Sequence, residues 1–244
     1  FTLSDGTLEK AARLGKDAGV GFHVHVAEAA SDVAANRAKY GKSSARRLID
    51  HGILGKGSIA AHAVHCDDAD KDALAASGTW VVHNPQSNLN NAVGIADVLG
   101  LVKRGVPVGL GTDAMTVNML EEVRVGLWAQ HLRQDNPSCG FMELTGALFV
   151  RNPEIASALW GFPIGTLAEG SAADVILVDY LAPTPLNDST VLGHLVFGIS
   201  QAVVDTTICG GRVLMHGRKL EIGLDEEALA AESRRLATAL WERF

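Results

Sequence analysis

Short apolar runs alternate with helical patterns through the first half of the chain. The apolar runs are 20–28, 58–64, 79–85 and 106–113, and the helical patterns between and after them are 44–54, 68–78, 95–105 and 119–132. Four strand–helix units in series predict parallel strands with helices outside, and therefore an α/β fold. In the first helix we expect Arg46, Arg47 and Asp50 on the solvent side.

The second half of the chain has a different pattern. It predicts, in order, two helices broken at RNPE, a glycine-rich loop with an apolar strand, a β-hairpin turning at CGGR and a charged amphipathic helix, at 141–161, 164–180, 203–223 and 224–244. We therefore predict three parts, an α/β unit, a strand-rich part and a C-terminal helix, at 1–163, 164–223 and 224–244.

Composition and charge narrow the possible partners. The chain has 244 residues, 47% of them hydrophobic, and a formal net charge of -7. No apolar run approaches the roughly 18 residues of a membrane span, and no basic stripe suggests a nucleic acid, so we expect neither partner. The three cysteines form no C-x-x-C pair, which favours a reducing, cytoplasmic location. Cys66 is either a thiolate ligand near His62 or a small buried residue.

Polar side chains cluster where the predicted strands end. The residues at or just past these ends are His25, Glu28, His62, His83 and Asp113. In a β/α barrel this end carries the active site, because the strand-to-helix loops converge there. One such histidine is more often a core residue, but five polar residues on four consecutive strands predict a functional site.

The first of these strands carries two histidines, in the sequence FHVHVAE. Alternate residues of a strand point to the same side, so His23 and His25 share a face and have the spacing of a metal-binding pair. Glu28 follows His25 by three residues. On the residues alone, this pair is either a metal site by itself or part of a larger one.

The motifs HVHVAE, AAHAVH, HNPQSN, GLGTD and GTLAEGSAADVILVD occur in this order, and in this the chain resembles the amidohydrolase superfamily. The resemblance covers nearly the whole chain. It is to the branch of chlorohydrolases and aminohydrolases, and the stretch GTDAMTVNMLEEVRVGLWAQHL is most similar to aminohydrolases called SsnA. The resemblance implies the C-terminal half of a metal-dependent (β/α)8 barrel of the TIM type, with part of a small β-sandwich.

The resemblance also implies roles for the site residues. His25 and Asp113 would bind one divalent metal ion, zinc or iron(II), and His62 would join the metal shell or polarise the substrate. Glu28 would move protons. The residues expected to shape the substrate pocket come from HNPQSN and are His83, Asn84, Ser87 and Asn88.

Within the family pattern, His25 corresponds to the fifth barrel strand. Glu28 has the spacing seen on that strand, and only three further strands precede Asp113. The first-strand H-x-H pair of the family is then absent, and His23 is either close to the metal ligands or a core histidine. We therefore expect the chain to be part of a longer enzyme, inactive alone and a homodimer when full length.

The expected reaction is hydrolysis of an sp² C–N bond by metal-activated water. The expected substrate is a small heterocycle with a purine, pyrimidine or triazine-like ring. Glu28 supplies the acid that departing ammonia needs, which favours deamination over dechlorination. A chlorohydrolase or a cyclic amidase of the same superfamily remains an alternative, as does a non-catalytic or incomplete fragment.

Overall fold

The computed structural model describes residues 2–244 and contains two separate four-stranded sheets. The strands of the first sheet are β1 (His23–Val26), β2 (Ile59–His62), β3 (Trp80–His83) and β4 (Val108–Leu110). They are all parallel and lie in the order β1-β2-β3-β4. Consecutive parallel neighbours joined by helices are what the alternating sequence pattern predicts, and the α/β fold class is confirmed.

Helices connect and cover these strands. They are α1 (Asp5–Ala18), α2 (Ala30–Tyr40), α3 (Ser44–Asp50), α4 (Asp68–Ser77), α5 (Pro85–Asn90), α6 (Val98–Lys103), α7 (Met119–Gln134), α8 (Phe141–Gly146) and α9 (Asn152–Trp160). Their ends follow local chemistry: Asp67 caps the first turn of α4, and Gly78 ends it in the left-handed conformation. The apolar core lies between the sheet and these helices and includes Val26, Val81 and Leu127.

The second sheet is antiparallel. Its strands are β5 (Val175–Asp179), β6 (Val203–Cys209), β7 (Arg212–His216) and β8 (Lys219–Leu220), in that spatial order. The predicted hairpin at CGGR is confirmed: Gly210 and Gly211 join β6 to β7 with φ values of 56° and 77°, which favour glycine. Helix α10 (Val191–Phe197) precedes β6, and α11 (Glu226–Trp241) follows the sheet.

The expected break at RNPE is wrong. Helix α8 continues through a π-helical turn, Ala147–Arg151, directly into α9. The Asn152 N–H bonds to the Ala147 carbonyl, and Pro153 comes next. Pro153 has no N–H and cannot bond a carbonyl of the preceding turn. In the first turn of α9, directly after the wider π-helical turn, this loss is tolerated, so the chain remains helical.

Arg47 was also wrongly expected on the solvent side of its helix. It is 3% exposed, because α1 and the residues before it cover this face of α3. The Arg47 guanidinium donates to Asp5 Oδ1 at 2.7 Å and to the Leu3 carbonyl at 2.8 Å, and it lies over the Tyr40 ring. A buried arginine with these partners is an anchor for α1.

None of the helices within residues 2–244 combines the length and the apolar character needed to cross a bilayer.

Candidate active site

Three predicted residues meet at the carboxyl end of the parallel sheet. The imidazole rings of His25 and His62 stack with their centroids 5.3 Å apart and their planes at 18°. Glu28 Oε2 lies 3.7 Å from His62 Nε2. One donor atom from each of the three residues lies within 4.8 Å of the others, close enough for a single ion to contact all three.

Strained backbone surrounds this cluster. Four residues at the strand ends that are not glycine have positive φ: Ala27 at 49°, His62 at 73°, Ala63 at 51° and Asp113 at 52°. The left-handed region is unfavourable for residues with a Cβ atom, by about 1–2 kcal/mol each. Such strain persists where the surroundings impose it and is concentrated at functional sites.

His62 is fixed from behind by the helix that follows β3. Its Nδ1 lies 2.8 Å from Asn88 Oδ1, and both residues are 1% exposed. An amide oxygen only accepts hydrogen bonds, so His62 Nδ1 carries the proton and donates it. In the neutral imidazole with this tautomer, His62 Nε2, which faces Glu28, has its lone pair free, the state that a metal ligand or proton acceptor needs.

His83 stands behind Asn88. The Asn88 side-chain nitrogen lies 3.4 Å from His83 Nδ1, and His83 Nε2 has no hydrogen-bond partner among the described residues. Burial, with a smaller contribution from His62, lowers the pKa of His83 to about 3. His83 is therefore neutral across the physiological range, and it supports Asn88 without adding charge to the site.

Asp113 follows β4 and is held by the same helix. Ser87 Oγ donates a hydrogen bond of 2.7 Å to Asp113 Oδ2. This bond is the main reason that the pKa of Asp113 is lowered; burial opposes the shift, and His62 and His25 add to it. Asp113 is thus a carboxylate with one oxygen committed to Ser87. It lies near the two histidines but outside the group of three whose donor atoms are closest.

An open cavity of about 490 Å³ lies over these strand ends. Its lining includes His23, His25, His62, Asn84 and Asp113. The structure thus places Asn84 on the cavity wall, whereas His83 and Asn88 stand behind His62. Glu28 lines a second cavity, along the outer edge of β1, and reaches the first through its contact with His62.

Cys66 is not a ligand of this site. It is 8% exposed, and burial raises the pKa of its thiol to about 12, so that no thiolate forms near neutral pH. Of the two alternatives for Cys66, a thiolate ligand or a small buried residue, the structure supports the buried residue.

Two features of the site were missing from the sequence prediction. Ser87 and Asn88 were expected to shape the pocket, but their contacts with Asp113 and His62 were not foreseen. Glu122, which is fully buried behind α5, was not singled out at all. The sequence holds one weak signal for Glu122. It falls between Leu120 and Val123 in a helical pattern, and the apolar side of such a pattern is expected to be buried.

The donor chemistry fits a borderline divalent ion. Two imidazoles and nearby carboxylates are a usual ligand set for zinc, and hard ions such as magnesium prefer oxygen alone. A neutral His62 with its proton on Nδ1 presents the Nε2 lone pair, and the lowered pKa of Asp113 favours its carboxylate; these are the states that ligation requires.

The sequence pattern that defines the amidohydrolase family matches residues 1–214. The chain belongs to the amidohydrolase family. Two relatives match the chain along nearly its whole length. A 5-methylthioadenosine/S-adenosylhomocysteine deaminase of Pelotomaculum thermopropionicum is 35% identical over 247 residues, covering 100% of this chain and 56% of the relative. A 5'-deoxyadenosine deaminase of Methanosarcina mazei is also 35% identical, covering 99% and 56%.

Solved structures of amidohydrolases have the same fold. An adenosine deaminase from Xanthomonas campestris with bound zinc is 27% identical with a TM-score of 0.86, over 99% of this chain and 55% of that one. An atrazine chlorohydrolase from Arthrobacter aurescens, complexed with zinc, is 23% identical with a TM-score of 0.79, over 96% and 52%. The chain spans about half the length of the curated relatives that it matches.

Proposed function

We propose that the protein is a zinc-dependent hydrolase that removes an amino group from a purine ring as ammonia. The observation that carries this proposal is the cluster of His25, Glu28 and His62, with donor atoms within 4.8 Å of one another at the end of a parallel sheet. Two histidines and a carboxylate in this position are suited to hold an ion and move a proton.

The relatives support the substrate class. The two relatives described above are named as deaminases of 5-methylthioadenosine, S-adenosylhomocysteine and 5'-deoxyadenosine. These compounds share an adenine ring with an exocyclic amine. We therefore propose an adenine nucleoside as substrate, modified or not at its 5' position.

The ligands of the ion are proposed to be His25, His62 and Asp113. A divalent ion held there would make a water molecule nucleophilic at neutral pH, because it lowers the pKa of water to about 7. Asn88 keeps His62 Nε2 directed at the site, and Ser87 holds one oxygen of Asp113. The other Asp113 oxygen remains available to bind the ion or to accept a proton.

Glu28 is proposed as the proton-transfer group. Its side chain is 25% exposed, so it can exchange protons with solvent, and it sits 3.7 Å from His62. An acid in this position can protonate a ring nitrogen or the departing amine. Loss of chloride needs no such proton, and this is why we favour deamination over dechlorination.

Product analysis tests the reaction class. With zinc supplied, we expect ammonia from 5'-methylthioadenosine, S-adenosylhomocysteine or adenosine, and no chloride from atrazine. The assays use the full natural protein that contains these residues, because the chain spans about half the length of its relatives. Chloride release without ammonia would replace the proposal by a chlorohydrolase, and a zinc-loaded protein that releases neither would contradict hydrolysis of these substrates.

Glu28→Gln tests the proton-transfer role. The amide keeps the shape of the side chain but has no acidic proton, so turnover should fall by about 10²–10⁴-fold. Zinc content should remain close to that of the unmodified protein, since no proposed ligand changes. Glu9→Gln on the exposed side of α1 removes the same charge away from the cluster and serves as the control. Zinc loss in Glu28→Gln would instead make Glu28 a ligand.

A further inference from the structure

A buried carboxylate lies behind the site, in the first turn of α7. Glu122 is 0% exposed, and its Oε2 accepts a hydrogen bond of 3.1 Å from the backbone N–H of Gln86. Glu122 Oε1 has no partner among residues 2–244. Burying a carboxylate is unfavourable, and an apolar side chain would fill this position without that penalty. The bond to Gln86 is therefore the feature of Glu122 that packing alone does not explain.

Gln86 belongs to α5, the helix that contacts two of the three proposed ligands. Ser87 of α5 bonds Asp113, and Asn88 of α5 bonds His62. With six residues, α5 is far too short to be stable by itself and depends on its contacts. Its first residue, Pro85, has no N–H, so the Gln86 N–H is the first free donor of the helix. Glu122 satisfies that donor.

A second contact joins the same two helices. Gly126 of α7 lies beside Pro85: a Cβ atom at position 126 would be 3.4 Å from Pro85 Cγ, at van der Waals distance. The backbone of α7 thus lies near the start of α5 on one turn, and the Glu122 carboxylate reaches α5 from the preceding turn. Both contacts join α7 to the first turn of α5.

We propose that Glu122 is a positioning residue of the metal site, which acts through α5 to hold Ser87 against Asp113 and Asn88 against His62. The inference rests on the proposed function in one respect, the assignment of His62 and Asp113 as ligands. Glu122 touches neither the cavity nor these ligands. Its effect is to keep Ser87 and Asn88 within hydrogen-bonding distance of Asp113 and His62, which come from the ends of two different strands.

Zinc affinity of matched variants tests this role, measured by competition with a chelator. Glu122→Met keeps the length of the side chain and suits burial, but it cannot accept the Gln86 N–H. We expect it to weaken zinc binding by about 10–100-fold, the usual effect of losing a supporting partner of a ligand. Glu122→Gln retains an acceptor oxygen and should stay within about threefold of the unmodified protein.

The adjacent Glu121 supplies the control. It is half-buried on the same turn, and its side chain makes no hydrogen bond to α5. Glu121→Gln should leave zinc affinity unchanged. Should Glu122→Met fail to fold, Glu122→Asp, which withdraws the carboxylate by one methylene group, carries the same expectation. A folded Glu122→Met or Glu122→Asp protein with normal zinc affinity overturns the proposal.

A double-mutant cycle separates positioning from general destabilisation. If Glu122 acts through α5, its loss should weaken zinc binding little further once Ser87→Ala and Asn88→Ala together have removed the support of both Asp113 and His62. Fully additive losses would show that Glu122 acts by another route and would overturn the proposal. Zinc binding does not require turnover, so a protein that binds zinc but releases no ammonia contradicts the proposed reaction alone. Absence of zinc binding in the unmodified protein contradicts both.

Discussion

At the residue scale, the side chains of the site are held by uncharged neighbours. Asn88 accepts a hydrogen bond from His62 Nδ1, Ser87 donates one to Asp113 and lowers its pKa, and burial keeps His83 neutral. Two hydrogen bonds and one buried position therefore favour the protonation states that the proposed metal ligands need.

The pKa of Glu122 leads to a prediction on stability. Burial, opposed by the Gln86 N–H and assisted by Glu121, raises this pKa from its ordinary value of 4.5 to about 7. The folded protein therefore binds the proton more tightly than the unfolded chain, and Glu122 lowers the free energy of unfolding as pH rises from about 4.5 to about 7.

Glu122→Gln removes this titration. We expect the variant to be more stable than the unmodified protein at pH 8, by about 1–3 kcal/mol, and the advantage to vanish below pH 4.5. Urea unfolding at several pH values measures it, with Glu9→Gln on the exposed side of α1 as reference. An advantage that is the same at every pH would show that Glu122 does not titrate in this range.

The sequence predicted those residues whose position along a strand reveals them. His25, His62 and Asp113 lie at strand ends, so parallel topology alone brings them to one edge. Glu122 and Arg47 were missed or misplaced for the opposite reason. A charged residue in a helical pattern indicates the solvent side, unless another element covers it, and the covering element is a tertiary fact that the local pattern does not contain.

At the element scale, β4 shows how a side chain takes the place of a strand. Asn152 Oδ1 accepts a hydrogen bond of 2.9 Å from the Leu110 N–H, and its Nδ2 donates one of 2.8 Å to the Leu110 carbonyl. Strand β3 bonds the chain on either side of β4, at the Pro107 carbonyl and the Gly111 N–H. The groups of Leu110 point the other way, and Asn152 satisfies both.

Asn152→Ala should leave the Leu110 N–H and carbonyl without these partners. Because an unsatisfied buried group costs about 1–3 kcal/mol, we expect a loss of that order in the free energy of unfolding. Urea denaturation measures it. Asn90→Ala is the control. Asn90 is exposed, and among residues 2–244 its side chain forms a hydrogen bond only with Asn91. Equal stabilities of the two variants would mean that Asn152 does not support β4.

Elements were predictable where large apolar residues repeat. The four strands and helices α6 and α7 follow such repeats, whereas α4 is indicated by its Asp cap and the glycine that ends it. Helices α1 and α2 were not assigned, because their sequences contain few large apolar side chains. The π-helical turn at 147–151 could not be predicted either, since Asn152 occupies its position through a contact with β4 that is distant in sequence.

At the scale of the whole molecule, apolar surface is concentrated in the second half of the chain. The exposed large residues of the antiparallel sheet and of the C-terminal region are Ile176, Leu177, Val203, Val213, Leu220, Leu229, Leu236, Leu240, Trp241 and Phe244. Every residue of α11 is exposed, and Leu229, Leu236 and Leu240 share one side of it. A surface of this kind is typical of an interaction face.

We therefore expect the 244-residue chain by itself to associate. Light scattering after size-exclusion chromatography should give a mass above that of a monomer, increasing with concentration. Replacing Leu236 and Trp241 by serine removes two of these side chains and should shift the population toward monomer. A monodisperse, cooperatively melting monomer across the concentration range would contradict the expectation.

The Asn152 contact also limits how copies of the sheet can join. Within residues 2–244, β1 has a strand neighbour on one side only and β4 on one side only. Pairing of β4 in one copy with β1 in the next would repeat without closing and grow a filament. Because the amide of Asn152 already occupies Leu110, each added copy would have to break two hydrogen bonds before it could extend the stack. We therefore expect the Asn152 side chain to oppose the addition of further copies at the edge of β4.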